Sequence, residues 1–299
     1  MVNIKKIKNS SALRGWLLVL PALLIFIGFY VGPAIIGLRM SLYEWDGLSP
    51  VMKFVNLDNY IRLFSTQRFW NDVWINLIVL ISSLIFIFPI AILLALVLSK
   101  RGFGMKFFRN AMFFPQMLSI ATIALIWTLI YDPYLGLLNR ILEQVGLSSY
   151  TNTWLGSNNL VLICVIVAII WASIGFHVVL FIAGLSGIPE EYFDAIKLET
   201  NNQITILRYV TLPLLRETIF ISFVVIVGSS FGHSTGLVFL LTNGGPNNRT
   251  ELLGLYGYNM AFRGHQFGYS SAISLVILFI VMLLVIIPTI QLAKDKLEY

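Results

Sequence analysis

The chain has 299 residues, of which 58% are hydrophobic, 14% aromatic and only 11% charged, with a mean hydropathy of +0.86. Soluble domains carry roughly a quarter charged residues, so this balance excludes an ordinary soluble protein and indicates a polytopic membrane protein. The net charge of +6 does not indicate a nucleic-acid face, because the cations lie in short blocks between greasy stretches.

The first block, Lys5, Lys6, Lys8 and Arg14, precedes an apolar run over 16–38. That run is too long for a signal-peptide core, has no small-residue cleavage site and is followed by further apolar runs, so it reads as a retained anchor. Five more uncharged stretches follow at about 73–99, 111–131, 160–185, 219–241 and 267–293. Each is long enough to cross a hydrocarbon core as a helix, which needs about 20 residues. The prolines within or beside them, Pro21, Pro33, Pro89, Pro115 and Pro288, are tolerated where neighbouring groups re-satisfy freed carbonyls. The expected architecture is all-α: a cytoplasmic segment 1–15, a six-helix membrane domain 16–293 and a cytoplasmic tail 294–299.

Orientation follows from Lys and Arg. With the N-terminus inside, 13 of the 20 cations fall on the inner side, including Lys100, Arg101, Lys106 and Arg109 in one short loop. Seven fall outside: Arg39, Lys53, Arg62, Arg68, Arg140, Arg249 and Arg263. Both termini are therefore expected in the cytoplasm. Trp45, Trp70, Trp74 and Trp154 sit near the outer ends of spans, as an aromatic belt does. The outer loops carry turn signals, Asp132-Pro133 and Asn243-Gly244-Gly245-Pro246. The lone Cys164 excludes an intrachain disulfide.

One inner loop, 188–213, is polar and compact. Pro189 suits a helix start, and Glu190, Glu191 and Asp194 suit the positive end of its dipole; Glu199 completes four carboxylates. Thr200-Asn201-Asn202 breaks the helix, since Asn tolerates left-handed backbone and caps a following turn. A second half runs to Pro213, which opens the fifth span. A helix lying on lipid headgroups should be rich in Lys and Arg. This acidic half therefore favours docking to another protein over docking to an anionic leaflet.

The loop resembles the EAA loop of ABC-importer permeases, a pattern of E-A-A-x-x-x-G followed at a fixed gap by I-x-L-P. Here it reads Asp194-Ala195-Ile196-x-x-x-Thr200 and then Val210-Thr211-Leu212-Pro213, in register. Asp keeps the charge of the leading Glu; Thr200 stands where the glycine would be, leaving Asn201 or Asn202 to make the turn. "KFVNLDNYIRLF" (53–64), "ALIWTLIYDPYLGLLN" (124–139), "LTNGGPNNRTELLGLYGYNMAF" (241–262) and "FGYSSAIS" (267–274) resemble the sugar-permease branch of the same family, the inner-membrane component of binding-protein-dependent transport. That branch is of the maltose (MalF) and glycerol-phosphate (UgpA) transporter type. The resemblance implies a MetI-like permease fold in a bacterial inner membrane. It also implies a second homologous permease, two ATP-binding cassette ATPases gripping the 188–213 loop, and an extracytoplasmic solute-binding protein. ATP and Mg would be held by the ATPases, with no cofactor on this chain.

Polar groups inside spans are costly and are candidates for function. Ser173 and His177 lie in the fourth span, Ser222, Ser229, Ser230, His233 and Ser234 in the fifth, and Gln116 and Ser119 at the start of the third. A single serine is more often a packing or back-bonding residue. The cluster Ser229, Ser230, His233 and Ser234 falls within two turns and suits a sugar's hydroxyls, with Trp171, Phe176 and Phe231 as aromatic wall. The resemblance adds Gln116 and Ser173 to Ser230 and His233 as substrate contacts. His177, His233 and His265, 56 and 32 residues apart, form no metal motif. No G-x-x-x-x-G-K-[ST] phosphate loop is present, so ATP hydrolysis belongs to another polypeptide. An ion-coupled transporter would need an intramembrane acid or lysine, and none is read inside the six spans. A scaffold or receptor would need no midplane polar cluster. A glycerol-3-phosphate or polyol solute is the runner-up to a neutral sugar.

Overall fold

The computed structural model describes residues 16–99, 102 and 104–295. The cations Lys5, Lys6, Lys8, Arg14, Lys100, Arg101 and Lys296, the segment 1–15 and the end of the tail lie outside the described residues. The elements in order are α1 Trp16–Met40, β1 Tyr43–Glu44, β2 Lys53–Phe54, α2 Asp58–Ser65, α3 Gln67–Leu98, α4 Met105–Met117 and α5 Ile120–Ile130. They continue with α6 Leu137–Gln144, α7 Val161–Ser186, α8 Glu190–Glu199, α9 Gln203–Ile206, α10 Arg216–Leu241, α11 Leu253–Tyr258 and α12 Phe267–Asp295.

Among the described residues, five helices, α1, α3, α7, α10 and α12, are individually long and apolar enough to cross a membrane. The third expected span, 111–131, is not one helix: α4 and α5 meet at 101°. Pro115 lies in a tight turn over Phe114–Met117, where its missing N–H interrupts the helical ladder. Leu118 is extended, and Ser119 restarts the chain as a cap, its Oγ accepting from Thr122 N at 3.2 Å. The second span also begins earlier than hydropathy indicated, at Gln67, and so includes Arg68 and Asp72.

The chain divides into two compact units. The described residues up to Thr66, with Gly257–Phe279, form the first. Its β1–β2 ribbon is antiparallel, with Tyr43 opposite Phe54 and Glu44 opposite Lys53. The buried Asn59 of α2 ties the ribbon by donating to the carbonyls of Ser41 (2.8 Å) and Tyr43 (3.0 Å). A Cβ on Gly268 would lie 1.9 Å from the Tyr43 carbonyl oxygen, so only glycine admits this approach of α12. The guanidinium of Arg62 stacks on Tyr269 at 4.4 Å. The 53–64 and 267–274 motifs thus share one packing job. Within α1, none of the most apolar stretch is buried.

Gln67–Tyr256 with the residues from Ile280 onward form the second unit. Its core joins Ile75 and Val79 of α3, Ile123 and Trp127 of α5, Val165 and Ile169 of α7, and Leu237 and Val238 of α10. At Gly175, a Cβ would lie 2.0 Å from the Met112 carbonyl oxygen; the missing side chain lets α4 dock its backbone on α7.

Candidate functional site

The break between α4 and α5 opens a cavity of about 320 Å³ in the second unit, near the lower end of the roughly 300–1,000 Å³ usual for small-molecule sites. Irregular backbone at membrane depth is tolerated where it is buried in protein or lines a polar cavity, and the turn at Gln116–Ser119 meets that condition. Gln116 enters from the turn. Ser173, Phe176 and His177 come from α7 at helical spacing, over an aliphatic wall that includes Ile123 and Ile169.

From α10 come Ser229, His233 and Ser234. The helix is widened here by a π turn over Ser229–His233, a feature frequent at functional sites. Ser230 and Phe231 are buried and do not line the cavity. The Ser230 carbonyl accepts from Asn76 Nδ2 at 2.9 Å, and Asn76 Oδ1 accepts from Leu253 N at 2.8 Å. Ser230 is thus turned into a packed helix contact. Of the three aromatics expected as a wall, Phe176 alone lines the cavity; Trp171 packs edge-on against Trp127 at 5.8 Å.

Among the described residues, no charged side chain lines the cavity. Ser173 Oγ donates back to the Ile169 carbonyl at 2.8 Å, so it offers the cavity lone pairs rather than a proton. His177, a span residue outside the set of expected solute contacts, is 2% exposed and shares a 2.7 Å hydrogen bond between Nδ1 and Ser222 Oγ. The arrangement can bind a neutral solute carrying both hydroxyl and C–H surface.

A second polar cluster escapes a reading of the sequence alone. Arg68 donates to both carboxylate oxygens of the buried Glu251 at 2.6 and 2.8 Å, and its guanidinium lies 5.0 Å from the centre of the Tyr256 ring. Asp72, one turn after Arg68, is fully buried, and neither of its oxygens has a hydrogen bond among the described residues. An acid therefore does lie within a spanning helix, contrary to expectation. The hydropathic run begins at Val73, which makes Asp72 look like loop.

The loop 188–213 folds as two short helices. Pro189 sits at the cap of α8, one position before the helix, and α8 buries none of its residues. Glu190, Glu191, Asp194, Ala195 and Glu199 are all at least partly exposed, and Leu198 is 90% exposed. The turn differs from expectation: neither Asn201 nor Asn202 is left-handed. Thr200 makes it with extended backbone (φ −156°), open to any residue, and its Oγ1 accepts from Asn202 N at 3.1 Å. Asn202 then caps α9 by accepting from Ile204 N at 2.9 Å. This is why threonine is accepted where the loop pattern has glycine. A π turn over Leu207–Thr211 and a short turn holding Leu212 and Pro213 lead into α10.

Residues 67–293 match the family model described as the binding-protein-dependent transport system inner membrane component. The chain belongs to this family. It is therefore a multi-pass inner-membrane component of a transport system. Its relatives include the probable ABC transporter permease protein YurN of Bacillus subtilis, 31% identical over 92% of this chain and 94% of that one. The multiple sugar-binding transport system permease protein MsmF of Streptococcus mutans is 30% identical over 98% of this chain and 99% of its own length. A bacterial ABC transporter involved in the import of the acidic polysaccharide alginate matches the fold with a TM-score of 0.81, at 22% identity, over 97% of this chain and 98% of the other.

Proposed function

We propose that this inner-membrane component forms half of the pathway of an ATP-driven importer for a neutral mono- or oligosaccharide. A second, homologous permease completes the pathway, and an extracytoplasmic binding protein delivers the sugar. Two ATPase subunits, which hold ATP and Mg, grip the 188–213 loop through Glu190, Glu191, Asp194, Glu199 and the Thr200–Asn201 turn. The loop transmits their closure as rigid-body rocking and so alternates access. Both termini lie in the cytoplasm by the Lys and Arg balance.

The observation that carries the sugar reading is the uncharged cavity lined by Gln116, Ser173, Ser229, His233 and Ser234. Relatives named for diacetylchitobiose uptake in Streptomyces coelicolor and for trehalose/maltose transport in Thermococcus litoralis support it, at 29% and 27% identity. A relative from Agrobacterium fabrum is named for sn-glycerol-3-phosphate transport, at 27% identity. A phosphate or uronate solute calls for Arg or Lys beside the path, and the cavity has neither among the described residues.

The test is uptake into proteoliposomes holding the complete transporter with its binding protein. ATP-dependent uptake of a neutral saccharide, uncompeted by sn-glycerol-3-phosphate, is expected. Uptake driven by an ion gradient without ATP would overturn the reading. So would the failure of a cysteine at Asp194 (Asp194→Cys) to cross-link to a nucleotide-hydrolysing subunit.

A further inference from the structure

We infer that His177 is a solute-contacting residue of fixed tautomer: Ser222 pins the ring so that Nε2 presents an N–H donor to the cavity, selecting a solute oxygen that accepts a hydrogen bond. This rests on the cavity being the solute path, as proposed above.

The Ser222 hydroxyl sets the tautomer. Ser222 is fully buried, and its one hydrogen bond among the described residues is the 2.7 Å contact with His177 Nδ1. Most helical serines, like Ser173 and Ser186 here, return their proton to a carbonyl one turn back; Ser222 does not. A buried hydroxyl hydrogen without an acceptor is costly, so the hydroxyl donates to Nδ1. An Nδ1 that accepts carries no proton, which leaves the proton of the neutral ring on Nε2.

Nε2 has no protein partner among the described residues, yet it is not a sealed, unsatisfied atom, and His177 lines the cavity. The remaining donor therefore opens on the cavity. Beside it, Ser173 has already committed its proton to the Ile169 carbonyl and offers lone pairs. One face of α7 thus presents an acceptor at Ser173 and a donor at His177, one helical turn on. That pair matches a hydroxyl that accepts from His177 or a pair of hydroxyls that does both. Phe176 packs its ring edge-on against His177, 5.3 Å between centres, which holds the imidazole plane.

The experiment uses two conservative replacements that divide the imidazole. The amide of His177→Gln reaches the place of Nε2, and the amide of His177→Asn reaches that of Nδ1. Uptake is measured with the complete transporter, the same binding protein in every arm, for the parent saccharide and its single-deoxy analogues. Wild type is expected to disfavour one deoxy analogue roughly five- to hundred-fold, the range for leaving a buried donor unpaired. His177→Asn should lose that discrimination, and His177→Gln should retain most of it. Ser222→Ala frees the tautomer and should weaken the discrimination with assembly intact, which gives a reading even where His177→Asn fails to assemble. Equal behaviour of the Asn and Gln variants, or unchanged discrimination in Ser222→Ala, overturns the inference while the cavity keeps its role. If Gln116→Ala and His233→Ala also leave uptake unchanged, the cavity is not the path, and the proposed function fails with it.

Discussion

Two polar regions of the second unit handle polarity in opposite ways. The Arg68–Glu251–Asp72 cluster concentrates charge and buries it: Glu251 is 1% exposed and held by two hydrogen bonds from Arg68. The cavity at the α4–α5 break is lined by no charge among the described residues and leaves several donors and acceptors open. Bound charge serves attachment, here of α3 to the segment after α10. Under the proposed function, unbound neutral polarity suits a passing sugar, because it can pair with hydroxyls while a fixed charge in the path would favour an ion instead. The contrast predicts that damage to the first region appears in stability and damage to the second in transport.

Glu251→Gln should produce the largest stability loss. It leaves the Arg68 guanidinium without its buried counter-ion, a change that costs about 3–5 kcal/mol in buried pairs and less here because Arg68 is partly exposed. Thermal denaturation in detergent would show it, and a double variant with Arg68→Gln should recover part of the loss. An additive double variant would mean that the pair is not coupled.

Gly175→Ala tests how the helix scaffold supports the cavity. The new Cβ meets the Met112 backbone, not a flexible side chain, so α4 or α7 must shift. Overpacking of this kind costs about 1–3 kcal/mol. The chain runs from Met112 through Phe113, Phe114 and Pro115 to Gln116, so a shift at Met112 carries the cavity turn with it. Reduced thermal stability together with reduced uptake is expected; full uptake at wild-type stability would show that the helices separate without cost.

His233→Ala and Ser230→Ala separate neighbours that the π turn sends to different places. Removing the imidazole from the cavity should lower uptake about tenfold, the effect of losing one solute hydrogen bond of about 1.4 kcal/mol. Ser230→Ala keeps the carbonyl that Asn76 uses and should leave uptake within about twofold, since deletions that break no bond are small. Reversal of the two results would place Ser230 in the path.

The difference between these residues also marks what is legible in the sequence and what is not. Apolar runs are legible because the bilayer sets their length, and five of the six spans appear as single helices. Hydropathy averages across Phe114-Pro115-Gln116-Met117-Leu118-Ser119, so the break in the third span is hidden, although a proline followed by a serine cap is itself a stop-and-start signal. The π turn has no compositional mark, and it decides that Ser229 faces the cavity and Ser230 does not. Asp72 and Glu251 are hidden for another reason: charge is read as solvent-exposed unless its partner is known, and Arg68 and Glu251 are 183 residues apart. The loop's register is legible from Asp194, Ala195, Leu212 and Pro213, whereas its turn is not, because an extended Thr200 takes the place expected of a left-handed residue.

Asp72→Asn should change stability by less than about 2 kcal/mol, because two effects oppose: a buried acid beside Glu251 is replaced by a neutral group, and the amide brings buried N–H donors to a place where the acid has no hydrogen-bond partner among the described residues. A larger loss in thermal denaturation would mean that attraction to Arg68 outweighs the gain from neutralising the acid.

Asp132, at the turn after α5, should show the smallest effect. Its Oδ1 accepts from Tyr134 N at 2.9 Å and Leu135 N at 2.7 Å, and these backbone bonds hold its carboxyl below the usual carboxylate range. A carboxyl with a depressed native pKa adds stability that is complete above its unfolded value, and this is lost as pH falls through the native value. The side chain is partly open to solvent, so the effect is small and screened by salt. Asp132→Asn keeps an oxygen for the two N–H groups but removes the titration. The variant should therefore match wild type at neutral pH and lose less stability than wild type when melting is followed down to about pH 3. An identical acid dependence in the two proteins would mean that the turn is held by its backbone alone, with the carboxylate adding nothing.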